Sequence, residues 1–246
     1  KNEPRPAHGG GQPMKFSFVS AHFLVGCALH SCTPPSEPSC SRGLNPLGRS
    51  FGSQTAPIMN DDFLHNPWKV VPDGASEKVK AIFQFLNQNP VDIVGTQMEY
   101  EPKDVMRRQT KRPFASSPAF DLTPSDLLDP PAEGGPSHFA VVACGLLQLA
   151  CGGLDECHNA VTPLSWDAPT SFAGPPIADS PARAEATYAH HLVHMREGGN
   201  VGEFGTGWNN SGYWASSLGT HPIFPQLAAA ADRLCGADDS LRRKIR

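Results

Sequence analysis

His190 and His194 stand four residues apart in the stretch Ser180–Glu197, and Glu197 follows three residues after the second. On a helix each residue turns about 100°, so this spacing brings both imidazoles and the carboxylate to one side. Two neutral imidazoles placed in this way can share a tetrahedral or octahedral ion. Upstream, Asp155 and His158 are three apart in Leu154–Asn159 and share a face if that segment is helical. His158, His190 and His194 are therefore candidate ligands for a divalent metal such as Zn or Mn. Asp155 and Glu197 are the carboxylates that would complete or orient the set. Such an ion would polarise a substrate or activate water. The pattern is His-x-x-x-His without the intervening Glu of the metalloprotease motif, which speaks against a protease in particular. Arg183 on the same face is also an awkward neighbour for a cation.

Two other readings fit the same residues. Arg183, His190 and His194 can form a metal-free anion-binding or acid–base surface, since histidine titrates near neutrality. Alternatively the face Arg183, Thr187, His190, His194, Glu197 is simply solvated, opposite an apolar stripe of Ala184, Tyr188, Leu192 and Met195 with His191 beside it. Glu197 opposes the helix dipole at its position, and a protonated His194 would offset that without any function. Two classes of protein follow. One is a small-molecule enzyme, hydrolase-like, with His190, His194, Asp155 and Glu197 as its catalytic groups. The other is a non-catalytic helical binding or scaffold module with surface histidines.

The segment that follows adds a candidate ligand pocket. Trp208, Asn209 and Tyr213, with Arg183, offer aromatic faces and amide groups to a small molecule. The same aromatics also suit a short helix in which Tyr213, Trp214 and Leu218 pack to one side. Gly202, Gly205 and Gly207 are spaced as Gly-x-x-Gly-x-Gly, but they follow a predicted helix and lack a P-loop lysine, so tight chain geometry explains them better than phosphate binding.

The elements that must position these residues read as helices. Ser180–Pro181 supplies a cap hydroxyl and a first-turn proline for a helix running to Glu197, with Gly198–Gly199 as its stop. Phe139–Ala150 is the most apolar stretch and predicts a buried helix, capped by Ser137 and stopped by Gly152–Gly153; a buried strand is the alternative. Val79, Ile82, Phe83 and Leu86 recur at helical spacing behind Ser76 or Asp73 as cap. Thr220 with Pro222 predicts a last helix whose inner face holds Ile223, Leu227, Ala230, Ala231 and Leu234. Trp68, Val70 and Val71 are available to a core from an extended entry segment. Thr162–Pro176 reads as proline-rich connection anchored by Trp166 and Phe172. Within Lys111–Pro136, Thr123–Leu128 predicts one helical turn. Val91–Gly95 is a short β-type run, and Pro102–Gln109 a surface helix.

The expected fold is thus mainly α: a single irregular helical domain with long Pro/Gly-rich connections and at most a minor β element. Its divisions are 1–58 as a disordered or non-native extension, 59–110 as an N-terminal helical segment, 111–136 as a Pro-rich linker and 137–246 as the helical core. The 246 residues include 23 Gly and 25 Pro, with only 18% charged residues, a net charge of −4 and a pI near 6.2. That balance provides no electrostatic footprint for nucleic acid or an anionic membrane, and no apolar run is long enough to span a bilayer. The expected partner is a small-molecule ligand. The seven cysteines form no Cys-x-x-Cys pair, and their odd number fits a reduced compartment. A start at Met59 implies a cytoplasmic protein. A start at Met14, whose following apolar run resembles a signal peptide, implies secretion and makes Asn209–Ser211 a formal glycosylation acceptor.

Overall fold

The computed structural model describes residues 66–89, 116–128, 136–198, 201–202 and 205–235. The expected extension over 1–58, the strand at Val91–Val94 and the helix at Pro102–Gln109 lie outside them. The described chain is mainly α, with six helices: α1 (Glu77–Gln88), α2 (His138–Ala150), α3 (Leu154–Ser165), α4 (Arg183–Glu197), α5 (Gly207–Leu218) and α6 (Phe224–Cys235). The β structure consists of β1 (Val201–Gly202) and β2 (Gly205–Thr206), an antiparallel pair in which Val201 faces Thr206. Among the described residues no helix is long and apolar enough to cross a membrane.

α1 follows its sequence signals. The Ser76 hydroxyl accepts the N–H of Val79 at 3.3 Å, and Val79, Ile82, Phe83 and Leu86 are buried on one side. Val71 is half-buried and Trp68 is buried, its ring edge-on to Phe83 at 5.4 Å, but Val70 is exposed rather than part of the core. The described part of the stretch expected as linker, 116–128, forms two short 3-10 turns, Pro118–Asp121 and Pro124–Asp126. Ala119, Leu122 and Leu127 from these turns are buried in the same hydrophobic cluster as α1 and α2. The backbone N–H of Ser76 donates to Leu127 O at 3.0 Å, which ties the start of α1 to this segment.

α2 is the central element. Ser137 caps it through the N–H of Ala140 at 3.2 Å, and nine of its residues are buried, which excludes the strand alternative. Its stop uses Gly152, at φ +93°, followed by Gly153, whose missing Cβ would meet Phe120 and Glu156 within 3 Å. Three buried cysteines, Cys144, Cys151 and Cys157, are free; Cys144 Sγ donates to Leu122 O at 3.4 Å, and Cys157 lies against Gly145 of α2. Burial pushes the Cys144 thiol up to about 12 and that of Cys151 to about 11, so both behave as small neutral apolar groups.

α3 runs through Pro163 to Ser165, where sequence reading expected connection from Thr162 onward. The proline lacks the N–H that would bond the carbonyl of Asn159, but Asn159 is on the exposed side, where water can serve that carbonyl. Thr162 Oγ1 donates to His158 O at 2.6 Å, and the N–H of Ile177 reaches Pro163 O at 2.7 Å.

α4 packs chiefly against α3 and α5. It begins at Arg183, three residues later than the expected Ser180 cap. Ser180 and Pro181 instead form a turn, with Ser180 Oγ accepting the N–H of Ala182 at 3.3 Å. α6 likewise begins at Phe224. Thr220 is exposed and does not cap it, whereas His221 Nδ1 accepts the N–H of Ile223 at 3.2 Å.

Candidate functional site: a buried histidine cluster between α3 and α4

The face of α4 that sequence periodicity allowed to be solvated is buried. Thr187, His190, His194 and Glu197 are all at most 7% exposed, whereas Ala184, assigned to the apolar stripe, is exposed. α3 covers this face from one side and α5 from the other. Ala186, Ala189 and Val193, close to His190 along α4, are small and fully buried. The reading with histidines in open solvent therefore does not apply to His190 or His194.

His158, from the first turns of α3, meets both. Its ring centroid lies 4.7 Å from that of His190 and 5.5 Å from that of His194, with the rings nearly perpendicular. His190 and His194 stack one turn apart at 4.9 Å. One ring nitrogen from each of the three comes within 4.8 Å of the others.

Hydrogen bonds place a proton on Nδ1 of two of these rings. Glu197 Oε2 lies 2.5 Å from His194 Nδ1. A carboxylate only accepts, so Nδ1 of His194 carries a proton and Nε2 is the nitrogen left for another partner. Ser165 has one hydroxyl hydrogen, and it is directed to Val161 O at 2.8 Å. Its oxygen then accepts from His190 Nδ1 at 3.0 Å, leaving the lone pair on Nε2. Burial holds the His190 imidazole well below its ordinary range, and His158 and His194 push it the same way. His190 stays neutral because a charge on it would be neither solvated nor paired with a carboxylate.

Aromatic rings hold the cluster in place. Trp214 of α5 stacks on His190 at 3.8 Å with 20° between the planes. Trp166 and Tyr213 abut Trp214 edge-on, at 5.6 and 5.4 Å. α5 is brought in by Gly207, where a Cβ would lie 2.5 Å from Glu197 Cβ and 2.6 Å from His194 O. Thr206 caps α5 through the N–H of Asn209 at 3.2 Å.

The other candidate residues are placed differently. Asp155 is half-buried on α3 and is not one of the three residues whose ligand atoms converge. Arg183 pairs with Asp167 at 2.6 Å and donates to Ser165 O at 3.4 Å, so its guanidinium serves the α3–α4 joint. Trp208 and Asn209 sit at the start of α5, near Gly198 and Gly205 respectively, and both are exposed. Tyr213 is 52% exposed, so it does not join Trp214 in the interior as expected. Phe172, expected to anchor a loop to the core, is 53% exposed, with its ring 5.2 Å from that of His158. Ser165 and Trp214 hold the cluster; Ser165 was not a candidate from sequence, and Trp214 was expected only as a pocket or packing aromatic. Ser165 has a helical spacing signal only once the helix is known to continue through Pro163.

A second histidine group lies on another side of α4. His191 Nδ1 donates to Ser211 O at 3.0 Å, and Tyr188 stacks on the buried His221 at 5.4 Å. These contacts join α4 to α5 and to the start of α6.

Compared with models of known protein families, with curated proteins and with solved structures, the chain has no match.

Proposed function

We propose that His158, His190 and His194 bind one divalent ion of the zinc type, and that the protein is a metal-dependent enzyme acting hydrolytically on a small molecule. The observation that carries this reading is the convergence of three ring nitrogens from two helices within 4.8 Å. A tetrahedral ion with bonds of about 2.0–2.1 Å holds its nitrogens roughly 3.3 Å apart. The observed separation is wider than this, so metal binding requires the three rings to draw together. An all-imidazole set favours zinc over manganese, which prefers oxygen donors.

Two features support a built site over a chance cluster. Glu197 on His194 is the carboxylate–histidine arrangement that orients metal ligands and raises their basicity. Ser165 gives His190 the same tautomer. Three protein ligands also leave a coordination position open, the mark of catalytic rather than structural zinc. When bound, such an ion lowers the pKa of a coordinated water towards neutrality and polarises a carbonyl or phosphoryl group.

Metal content and Co²⁺ titration of the full-length protein test the proposal. The expected result is one ion per chain, a visible d–d spectrum with Co²⁺, and loss of both in His158→Ala, with the helical circular dichroism unchanged. Protein that carries no metal, and whose melting temperature does not respond to Zn²⁺ or Mn²⁺, would overturn it.

A further inference from the structure

Two sides of the histidine cluster are closed by the protein: Trp214 covers the face of His190, and α5 presses on the end of α4 at Glu197. A further side belongs to His158, the one half-exposed histidine of the three. Phe172 stands there. Its ring is tilted by 32° over the ring of His158 at 5.2 Å, yet it is 53% exposed.

Phe172 thus touches a ring of the cluster with one part and offers the rest of its apolar surface to solvent. It is held out by a defined loop. Thr170 and Gly174 exchange two backbone hydrogen bonds at 3.0 Å, Thr170 Oγ1 accepts the N–H of Ala173 at 3.1 Å, and Gly174 turns the chain at φ +83°. The loop is therefore pre-organised with Phe172 at its tip. Tyr213, also exposed, abuts Trp214, whose ring stacks on His190.

Resting on the metal reading above, we infer that Phe172 is a specificity-determining residue and that the substrate pairs a metal-binding polar head with a planar apolar body. The head takes the open coordination position and the body lies against the exposed face of the Phe172 ring. Offset ring stacking adds a moderate preference, on the order of three- to tenfold in affinity.

Two hydroxamates separate head from body. Acetohydroxamate and benzohydroxamate bind a metal through the same group, and only the second carries a ring. Each is titrated into the Co²⁺-loaded full-length protein and followed by the visible spectrum. The expected result is that benzohydroxamate binds about three- to tenfold more tightly, and that Phe172→Ala abolishes this preference while leaving Co²⁺ affinity unchanged. Phe172→Leu, which keeps an apolar side chain without the ring, is expected to lose most of it. If Co²⁺ binds but the two hydroxamates bind alike, or the preference survives in Phe172→Ala, the inference is overturned and the metal site stands. If Co²⁺ does not bind, both fail together.

Discussion

Gly207 and Gly212 are two glycines in one helix, and the structure assigns them opposite responses to the same substitution. At Gly207 an added Cβ would meet Glu197 Cβ at 2.5 Å, His194 O at 2.6 Å and Gly198 N at 2.7 Å. Two of these atoms are backbone and cannot swing aside, so α5 must move off the end of α4. Forcing an extra methyl into such a contact costs about 1–3 kcal/mol. For a chain of this size that is roughly 3–10 °C in melting temperature. The displacement also carries Trp214, two turns further along α5, away from His190, so metal affinity should fall with stability. At Gly212 nothing lies within 4 Å of the added Cβ, and the residue is exposed in mid-helix. Alanine there should stabilise by about 0.5–1 kcal/mol through helix propensity alone. Thermal melts of Gly207→Ala and Gly212→Ala, read beside Co²⁺ titrations, make the comparison. A Gly207→Ala protein that melts with the parent and keeps its Co²⁺ affinity would refute the close approach of α5 to α4, and with it the account of how His190 is held.

Glu197→Gln should weaken Zn²⁺ binding about 10- to 100-fold, because it removes the charge that makes His194 a better ligand, and competition with a chromophoric chelator measures it. Acid should destabilise the metal-free fold. Burial lowers His190, His191 and His221, so as pH falls below about 6.5 the unfolded chain takes up protons that the folded chain refuses. Each group then removes up to about 1.4 kcal/mol per pH unit until its own folded pKa is reached, so the urea midpoint should drop between pH 7.5 and pH 5.5. A midpoint that rises or stays level over that range would contradict the neutral, buried state of these rings.

The helices with conventional signals were legible in the sequence. α1 has a serine cap and an i, i+3, i+4, i+7 apolar series, and α2 is apolar nearly all round behind Ser137. The three histidines were legible as candidates, because spacing alone aligns His190 with His194. What periodicity cannot report is whether a polar face meets water or another polar element. On α4 the polar side chains are buried because Ser165 and Glu197 satisfy them, and a satisfied interior face has the same pattern as a solvated one. Pro163 misled for a related reason. Its cost in a helix depends on whether the orphaned carbonyl reaches solvent, which follows from tertiary placement. The starts of α4 and α6 were each placed a few residues early, since a hydroxyl or a proline marks a possible cap and the surrounding turn decides which residue takes it.

The three histidines sit on consecutive helices, and Ala186, Ala189 and Val193 are fully buried on the second of them. One residue of a helix rises about 1.5 Å, whereas a metal tolerates only about ±0.2 Å in its bonds. The α3–α4 interface therefore works as a gauge. A slip far smaller than one residue, caused by a bulkier side chain at any of these positions, would move His158 out of reach of its partners while the helices themselves remained intact. Fidelity of the site in this sense depends on small buried side chains as well as on the ligands themselves.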